Sequence, residues 1–256
     1  MKTQATSDSS AAIEAAQWIG FSEEVVQAFR APTAALQPAI DFLKRLPEVR
    51  AFHAARGIPE TVTKATLSDM ELWLRYNRQK NGVWGFDQIE WTTKHFTGKL
   101  YALGRLQFEI AEFNLPVLGV LTTGEPILDV HIPATGKLDD AACGQAFRQA
   151  CEFFPRHFPE HKFKAFTCKS WMMDRQLECW LPAESNLVRF VRRFHPLPPL
   201  PDATDEQMWE RVFGERVANL ATAPRDTVLQ RAMLDHIADG GQWRMAAGYI
   251  LREEIR

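Results

Sequence analysis

A chain of 256 residues, 46% hydrophobic and 24% charged, is long enough to bury a large core in one domain or two. A formal net charge of −2 leaves no basic footprint for nucleic acid, and no basic amphipathic helix points to a membrane surface. No apolar run reaches the roughly 18 residues of a membrane span, and "MKTQATSDSS" lacks the apolar stretch of a secretory leader, so a cytoplasmic protein with reduced thiols is expected.

The chain opens in helical periodicity. "SSAAIEAAQWI" and "SEEVVQAFR" read as short helices, the second with Ser22 ahead of acidic residues in its first turn. "TAALQPAIDFLKRL" turns Ala35, Ile40, Phe42 and Leu43 towards a core, with Pro38 in its first turn or at a kink. "GIPETVTKATLSDMELWLRYNRQKNG" predicts one longer helix around Leu67, Met70, Leu74 and Arg78 that stops near Asn81-Gly82. "DQIEWTTKHFTG" adds a short helix with Ile89 and Phe96.

At Lys99 the period changes to two. In "LGRLQFEIAEF", Leu106, Phe108 and Ile110 alternate with Arg105, Gln107 and Glu109. "NLPVLGVLTTGEPILDVHIP" predicts two strands joined by Thr123-Gly124-Glu125. A helix from about Asp139 to Phe154 follows, with Cys143, Ala146, Phe147, Ala150, Cys151 and Phe154 as its buried stripe. The strand "FKAFTCKSW" then completes a strand-helix-strand unit, which implies a parallel pair with a right-handed crossover. "SNLVRFVRRF" fits helical spacing, while its β-branched and aromatic content leaves a strand open. "HPLPPLPDATD" is a proline-rich connection, and "DEQMWERVFG" and "RDTVLQRAMLDHIADGG" are helices, the latter capped near Asp226 or Thr227. "WRMAAGYIL" closes the chain as a strand with Trp243, Met245, Ala247 and Tyr249 on one face. This succession predicts an α+β or mixed α/β architecture.

Two places carry chemistry. Two reversals between Phe108 and Ile132 make the strands of Glu109 and His131 run the same way, with Ser170 at the end of a third parallel strand. Glu109, His131 and Ser170 then share the sheet edge at which open α/β sheets bind ligands. Glu109 and His131 stand about 10 Å apart across the strand between them. Each also has a plainer reading. Glu109 serves equally as a solvated residue facing Arg105 or Lys99, His131 as a structural histidine on the face of Asp129, and Ser170 has no histidine partner nearby in sequence. Trp84, Trp91, Trp171, Trp180 and Trp243 read as core or groove lining. His157 and His161 have a metal-like spacing, but Pro159 breaks the helical face between them, and no metal is expected. The second place is "ILDVHIPATGKLDDAA", a strand, a turn on Thr135-Gly136 and a helix start. Helix N-termini attract anions, yet this one opens with Asp139-Asp140.

The blocks "LGRLQFE", "DVHIPATGKLDDAA", "FKAFTCKSWMMD", "SNLVRFVRRF" and "DTVLQRAMLDHIADGGQW", in this order, resemble bacterial acyltransferase-domain proteins. These pair a helical N-acyltransferase N-terminal domain with a GNAT-like C-terminal domain. The resemblance covers nearly the whole chain. It implies domains over 1–114 and 115–256, with the helical part packed on a mixed, mostly antiparallel sheet that has one parallel crossover. It further implies acetyl-CoA or another acyl-CoA as co-substrate and a primary amine, on a small molecule or a peptide, as acceptor. On this resemblance the coenzyme lies at Ile132, Thr135, Gly136, Lys137 and Leu138. GNAT domains carry Arg/Gln-x-x-Gly-x-Gly/Ala there. "ATGKLDDAACG" keeps Gly136 and Lys137 but lacks paired glycines, and Asp139 and Asp140 oppose a phosphate by about 0.3–1 kcal/mol each. Glu109 is the expected base and His131 the alternative, with a backbone N–H near Ile132 polarising the thioester oxygen. Two rival readings stand beside this one: a non-catalytic GNAT-like protein that binds a small ligand or a protein, and a structural interaction module. A homodimer is left open.

Overall fold

The structure is a computed structural model that describes residues 2–115, 119–201 and 203–256. It divides into two units, the first made of residues 1–103, 107–109 and 153–160, the second of 104–106, 110–152 and 161–256.

The first unit is built from α1 (Lys2–Ile19), α2 (Glu23–Arg30), α3 (Gln37–Leu43), α4 (Leu46–Ala55), α5 (Glu60–Leu67), α6 (Asp69–Asn81) and α7 (Ile89–Phe96). Small residues on α1 (Ala12, Ala15 and Ala16) share a core with Val25, Val26 and Phe29 of α2 and with Ile40 and Leu43 of α3. Pro38 sits in the first turn of α3, where its missing N–H costs nothing. Ser22 precedes α2 but does not cap it; its hydroxyl donates to Glu71 at 2.6 Å instead. The single long helix expected over residues 57–82 is two helices. α5 ends at Ser68, whose hydroxyl donates to the Ala65 carbonyl at 2.9 Å, a local bond that competes with helix continuation. α6 then starts at Asp69 and stops, as expected, at Gly82, whose φ of 73° suits only glycine without strain.

Six strands form one sheet: β1 (Leu100–Leu103), β2 (Leu106–Glu112), β3 (Pro126–His131), β4 (Ala165–Ser170), β5 (His195–Pro196) and β6 (Ala246–Leu251). Their order is β1-β2-β3-β4-β6-β5, mostly antiparallel, with β3 and β4 the parallel pair. The mixed α/β class and the single parallel crossover through α8 (Asp140–His157) are therefore as the sequence predicts. On α8 Cys143, Ala146, Phe147, Ala150 and Phe154 are all buried, while Cys151 is half-buried. The rest of the second unit holds α9 (Leu177–Trp180), α10 (Asn186–Val191), α11 (Glu206–Phe213) and α12 (Val228–Ala238). "SNLVRFVRRF" is thus helical, started by the Ser185 hydroxyl accepting from the Val188 N–H. α12 begins with a reciprocal cap between Thr227 and Gln230.

One expectation about the sheet is corrected. The strand predicted between residues 114 and 121 falls partly on residues 116–118, outside the described residues, and residues 119–125 form no strand. The apolar character there goes instead into Leu121, which is buried with Phe113, Ile127 and Ala165. β2 and β3 are consequently direct neighbours. The Phe113 N–H donates to the Glu125 carbonyl and the Gly124 N–H to the Phe113 carbonyl, both at 2.8 Å. With Gly124 at φ 88°, this is a glycine bulge closing an antiparallel hairpin. The strands of Glu109 and His131 therefore run in opposite directions, with no strand between them.

Candidate active site

Counting along the hairpin from Phe113 opposite Glu125 puts Asp129 and His131 on one face of β3. The gap of about 10 Å expected between Glu109 and His131 from two strand spacings depended on a strand between them, and β2 and β3 are neighbours. Glu109 and Asp129 each have a partner within their own unit. Lys94 on α7 donates to Glu109 Oε2 at 2.7 Å, and the Thr167 hydroxyl on β4 donates to Asp129 at 2.5 Å. The Lys94 ammonium supplies a positive charge at Glu109.

Ser170 does not share the face of Asp129 and His131. The β3–β4 register sets Asp129 beside Thr167, so Thr167 and Lys169 share the face of Asp129 and His131 while Ser170 falls on the other. There its oxygen accepts from the Met172 N–H at 3.2 Å and caps the short turn at Trp171–Met173. The same register shows where this pairing ends. β3 pairs with β4 up to Asp129–Thr167, whereas β4 stays paired with β6 as far as Ser170–Ala246. The β3–β4 register thus ends at Asp129, ahead of Ile132 and Pro133.

The turn after β3 is organised by Arg105, in the turn between β1 and β2. Its guanidinium donates to the carbonyls of Lys137 at 2.8 Å, Pro133 at 3.2 Å and Gly136 at 3.4 Å. Three carbonyls drawn onto one cation fix the shape of the segment that contains Thr135, Gly136, Lys137 and Leu138. Gly136 itself takes φ 66°, with open space where a Cβ would be.

The acidic pair at the start of α8 has two separate jobs. Asp139 accepts from the Ala142 N–H at 2.9 Å and so caps the helix. Asp140 is held by Arg193, whose Nε donates to its carboxylate at 3.0 Å and whose terminal nitrogen reaches its carbonyl at 2.9 Å. The guanidinium groups of Arg148 and Arg193 both approach Gly144 in the first turns of the helix, 3.5 Å from where a Cβ would stand. Arg105, Arg148 and Arg193 thus stand against Asp139 and Asp140 around the start of α8. The helix end that reads as repellent to phosphate is net cationic. Beside it, burial pushes the Cys143 thiol up, against the pull of Arg105 and Arg193.

Sequence reasoning missed Lys94, Thr167, Arg105 as an organiser of the turn, and Arg193, because each acts on a residue distant in the chain. Arg193 lies 53 positions from Asp140. Only its place in the basic run "VRRF" could have drawn attention to it. His157 and His161 each bond a backbone carbonyl, of Arg56 and Ile127 respectively, both at 2.8 Å. The described cysteines are unpaired.

A family model described as the GNAT-like C-terminal domain matches residues 100–250, and one described as the N-acyltransferase N-terminal domain matches residues 6–98. Among solved structures, an acyltransferase mutant in complex with octanoyl-CoA is 34% identical with a TM-score of 0.75, the match covering 84% of this chain and 65% of that one. An acyltransferase in complex with decanoyl-CoA and teicoplanin is 33% identical with a TM-score of 0.75, covering 90% of this chain and 68% of that one. An acyltransferase in complex with decanoyl-CoA is 31% identical with a TM-score of 0.74, covering 94% and 75%. The chain thus spans 65% to 75% of the length of these proteins. Among curated proteins none matches.

Proposed function

Because the chain belongs to the family of the GNAT-like C-terminal domain, carried behind an N-acyltransferase N-terminal domain, we propose that it transfers an acyl group from acyl-CoA to a primary amine. The observation that carries this reading is the net cationic start of α8. The guanidinium groups of Arg148 and Arg193 at this helix start, with the turn of Thr135–Leu138 before it, suit the pyrophosphate of a coenzyme A. Relatives in complex with octanoyl-CoA, decanoyl-CoA and CoA support the same choice of donor. Their ligands favour a medium-length acyl chain over the acetyl group that the sequence alone suggests. Teicoplanin bound to a relative supports an amine on a large natural product as acceptor, as a second option beside a peptide.

In the reaction the amine nitrogen bonds to the thioester carbonyl carbon, the C–S bond breaks, and the amine proton must leave. We assign the proton to His131. An ammonium at 2.7 Å favours the charged form of Glu109, which makes that carboxylate a weak proton acceptor. The backbone N–H at Ile132, past the end of the β3–β4 register, is the donor for the carbonyl oxygen.

Calorimetric titration with acetyl-, octanoyl- and decanoyl-CoA, followed by a thiol-release assay with amine acceptors, tests the reading. Binding of at least one acyl-CoA is expected, with turnover reduced about 10²–10⁴-fold in His131→Ala and acyl-CoA affinity unchanged. No binding at millimolar concentration overturns it. Full turnover in His131→Ala with loss in Glu109→Gln returns the base to Glu109. Binding without turnover leaves a non-catalytic acyl-CoA-binding protein.

A further inference from the structure

Helix α7 links a buried carboxylate to Glu109. Asp69, the first residue of α6, is 8% exposed, and a single oxygen, Oδ2, gathers three groups. The indole N–H of Trp73 donates to it at 2.9 Å and that of Trp91 at 2.7 Å, while His95 Nε2 lies 3.3 Å away, off the direction of a proper hydrogen bond. His95 Nδ1 stands 3.1 Å from the Trp91 carbonyl and therefore carries a proton to donate there. Trp91 is thus fixed at two points, its ring by Asp69 and its backbone by His95.

The face of that fixed ring carries Lys94. Its Nζ lies 5.5 Å from the Trp91 ring centroid and 2.7 Å from Glu109 Oε2. A free lysine spreads over many rotamers, about 2 kcal/mol of freedom. A rigid aromatic face on one side and a carboxylate on the other select one of them. The Lys94 side chain is 34% exposed and that of Glu109 13%, so the pair is partly shielded from water.

We propose that Asp69 is a positioning residue: by anchoring Trp91 it holds Lys94 against Glu109 and keeps that carboxylate paired at the candidate site. The inference rests on Glu109 belonging to the site of the proposed function, but the pairing is measurable without turnover. Within its own unit Glu109 is faced by Lys94 from α7.

The test is the titration of the Glu109 carboxyl carbon, followed by NMR on the full chain with ¹³C-carboxyl glutamate and assigned by Glu109→Gln. Lys94→Met should move its midpoint upward by roughly one to two pH units, because a neighbouring cation has gone. Trp91→Phe, which keeps a ring but removes the N–H, should move it the same way by less. Lys94→Arg should restore it. If Trp91→Phe titrates like the wild type while Lys94→Met is displaced, the anchoring role is overturned; no displacement in Lys94→Met overturns it as well. Should Trp91→Phe lose its near-UV circular dichroism, Asp69→Asn probes the same link with the same two outcomes. Wild-type acyl transfer, assayed in parallel, separates the two readings. Expected NMR shifts in a protein without transfer sink the proposed function and keep the link.

Discussion

Asp69 and Asp140 each open a helix, α6 in one case and α8 in the other, and their carboxylates are served in opposite ways. The Asp69 side chain is 6% exposed and takes neutral indole N–H groups with a histidine beside them. Asp140 is 38% exposed and takes a guanidinium. The contrast shows that depth, not residue type, sets what a carboxylate at a helix start is for. Where water is excluded, each missing partner leaves a charge stranded, so the network holds the helical unit together. Where water reaches, the same kind of pair contributes little to folding and is available for recognition of a ligand's charge.

The largest expected effect strikes the buried member. Asp69→Ala leaves the indole N–H groups of Trp73 and Trp91 without their acceptor, which should cost about 3–5 kcal/mol, read as a lower urea midpoint by tryptophan fluorescence. Acid sharpens the test. Burial pushes the Asp69 carboxyl up, but His95, Trp91 and Trp73 together pull it further down, to a net value below the ordinary one. Stabilisation by a depressed carboxyl is complete above its unfolded value, about 4, and fades as pH falls through the lower folded value. The stability gap between wild type and Asp69→Asn should therefore persist at neutral pH and close below about pH 4.

A smaller effect in the same unit has the opposite chemistry. His53 is 1% exposed, bonds Thr63 Oγ1 through Nδ1 at 2.7 Å, and leaves Nε2 without a partner. Burial lowers its pKa to about 4. The folded state thus keeps it neutral while the unfolded chain protonates it near 6.5, so stability falls as pH drops from about 6.5 towards 4, by up to about 3 kcal/mol. His53→Gln should flatten this stretch of the stability profile, measured as urea midpoints between those two pH values. An unchanged slope would assign the loss to other groups.

What the sequence makes legible follows the same division. Helices α2, α7 and α12, the C-terminal stop of α6 and the buried stripe of α8 are written in local periodicity and caps, and they stand where expected. The join at Ser68–Asp69 is not, because Asp69 looks like any polar first-turn residue until Trp91, 22 positions later, is known to reach it. The sequence pattern separates β2 from β3 because the apolar residues around Leu121 satisfy a strand pattern, whereas residues 119–125 form no strand and Leu121 is the buried one among them. The strand expected between Glu109 and His131 follows from that pattern, and the order of the sheet has β2 and β3 as neighbours. The start of α8 was legible in shape and misread in charge, since Asp139 and Asp140 are adjacent in the chain and Arg193 is not.

The smallest expected effect tests that charge directly. Arg193→Gln removes a cation from the start of α8 and leaves Asp140 unneutralised, so CoA affinity should fall by about tenfold, close to 1.4 kcal/mol. Stability should change by less than about 1 kcal/mol, because the pair is open to water. Asp140→Asn removes the opposing charge and releases Arg193 to meet a phosphate, so affinity should rise a few-fold, and more at low salt than at high. If the two residues act on the coenzyme through each other, the double variant should bind less tightly than the product of the two single changes predicts, because the released arginine is gone. Additive changes in calorimetric titrations of CoA would mean that Arg193 and Asp140 act independently. No change in any of the three variants would put the pyrophosphate somewhere other than the start of α8. Asp139→Asn is the control: asparagine caps a helix as well as aspartate does, so helix stability should move by only a few tenths of a kcal/mol. CoA affinity should rise slightly there through the loss of one negative charge.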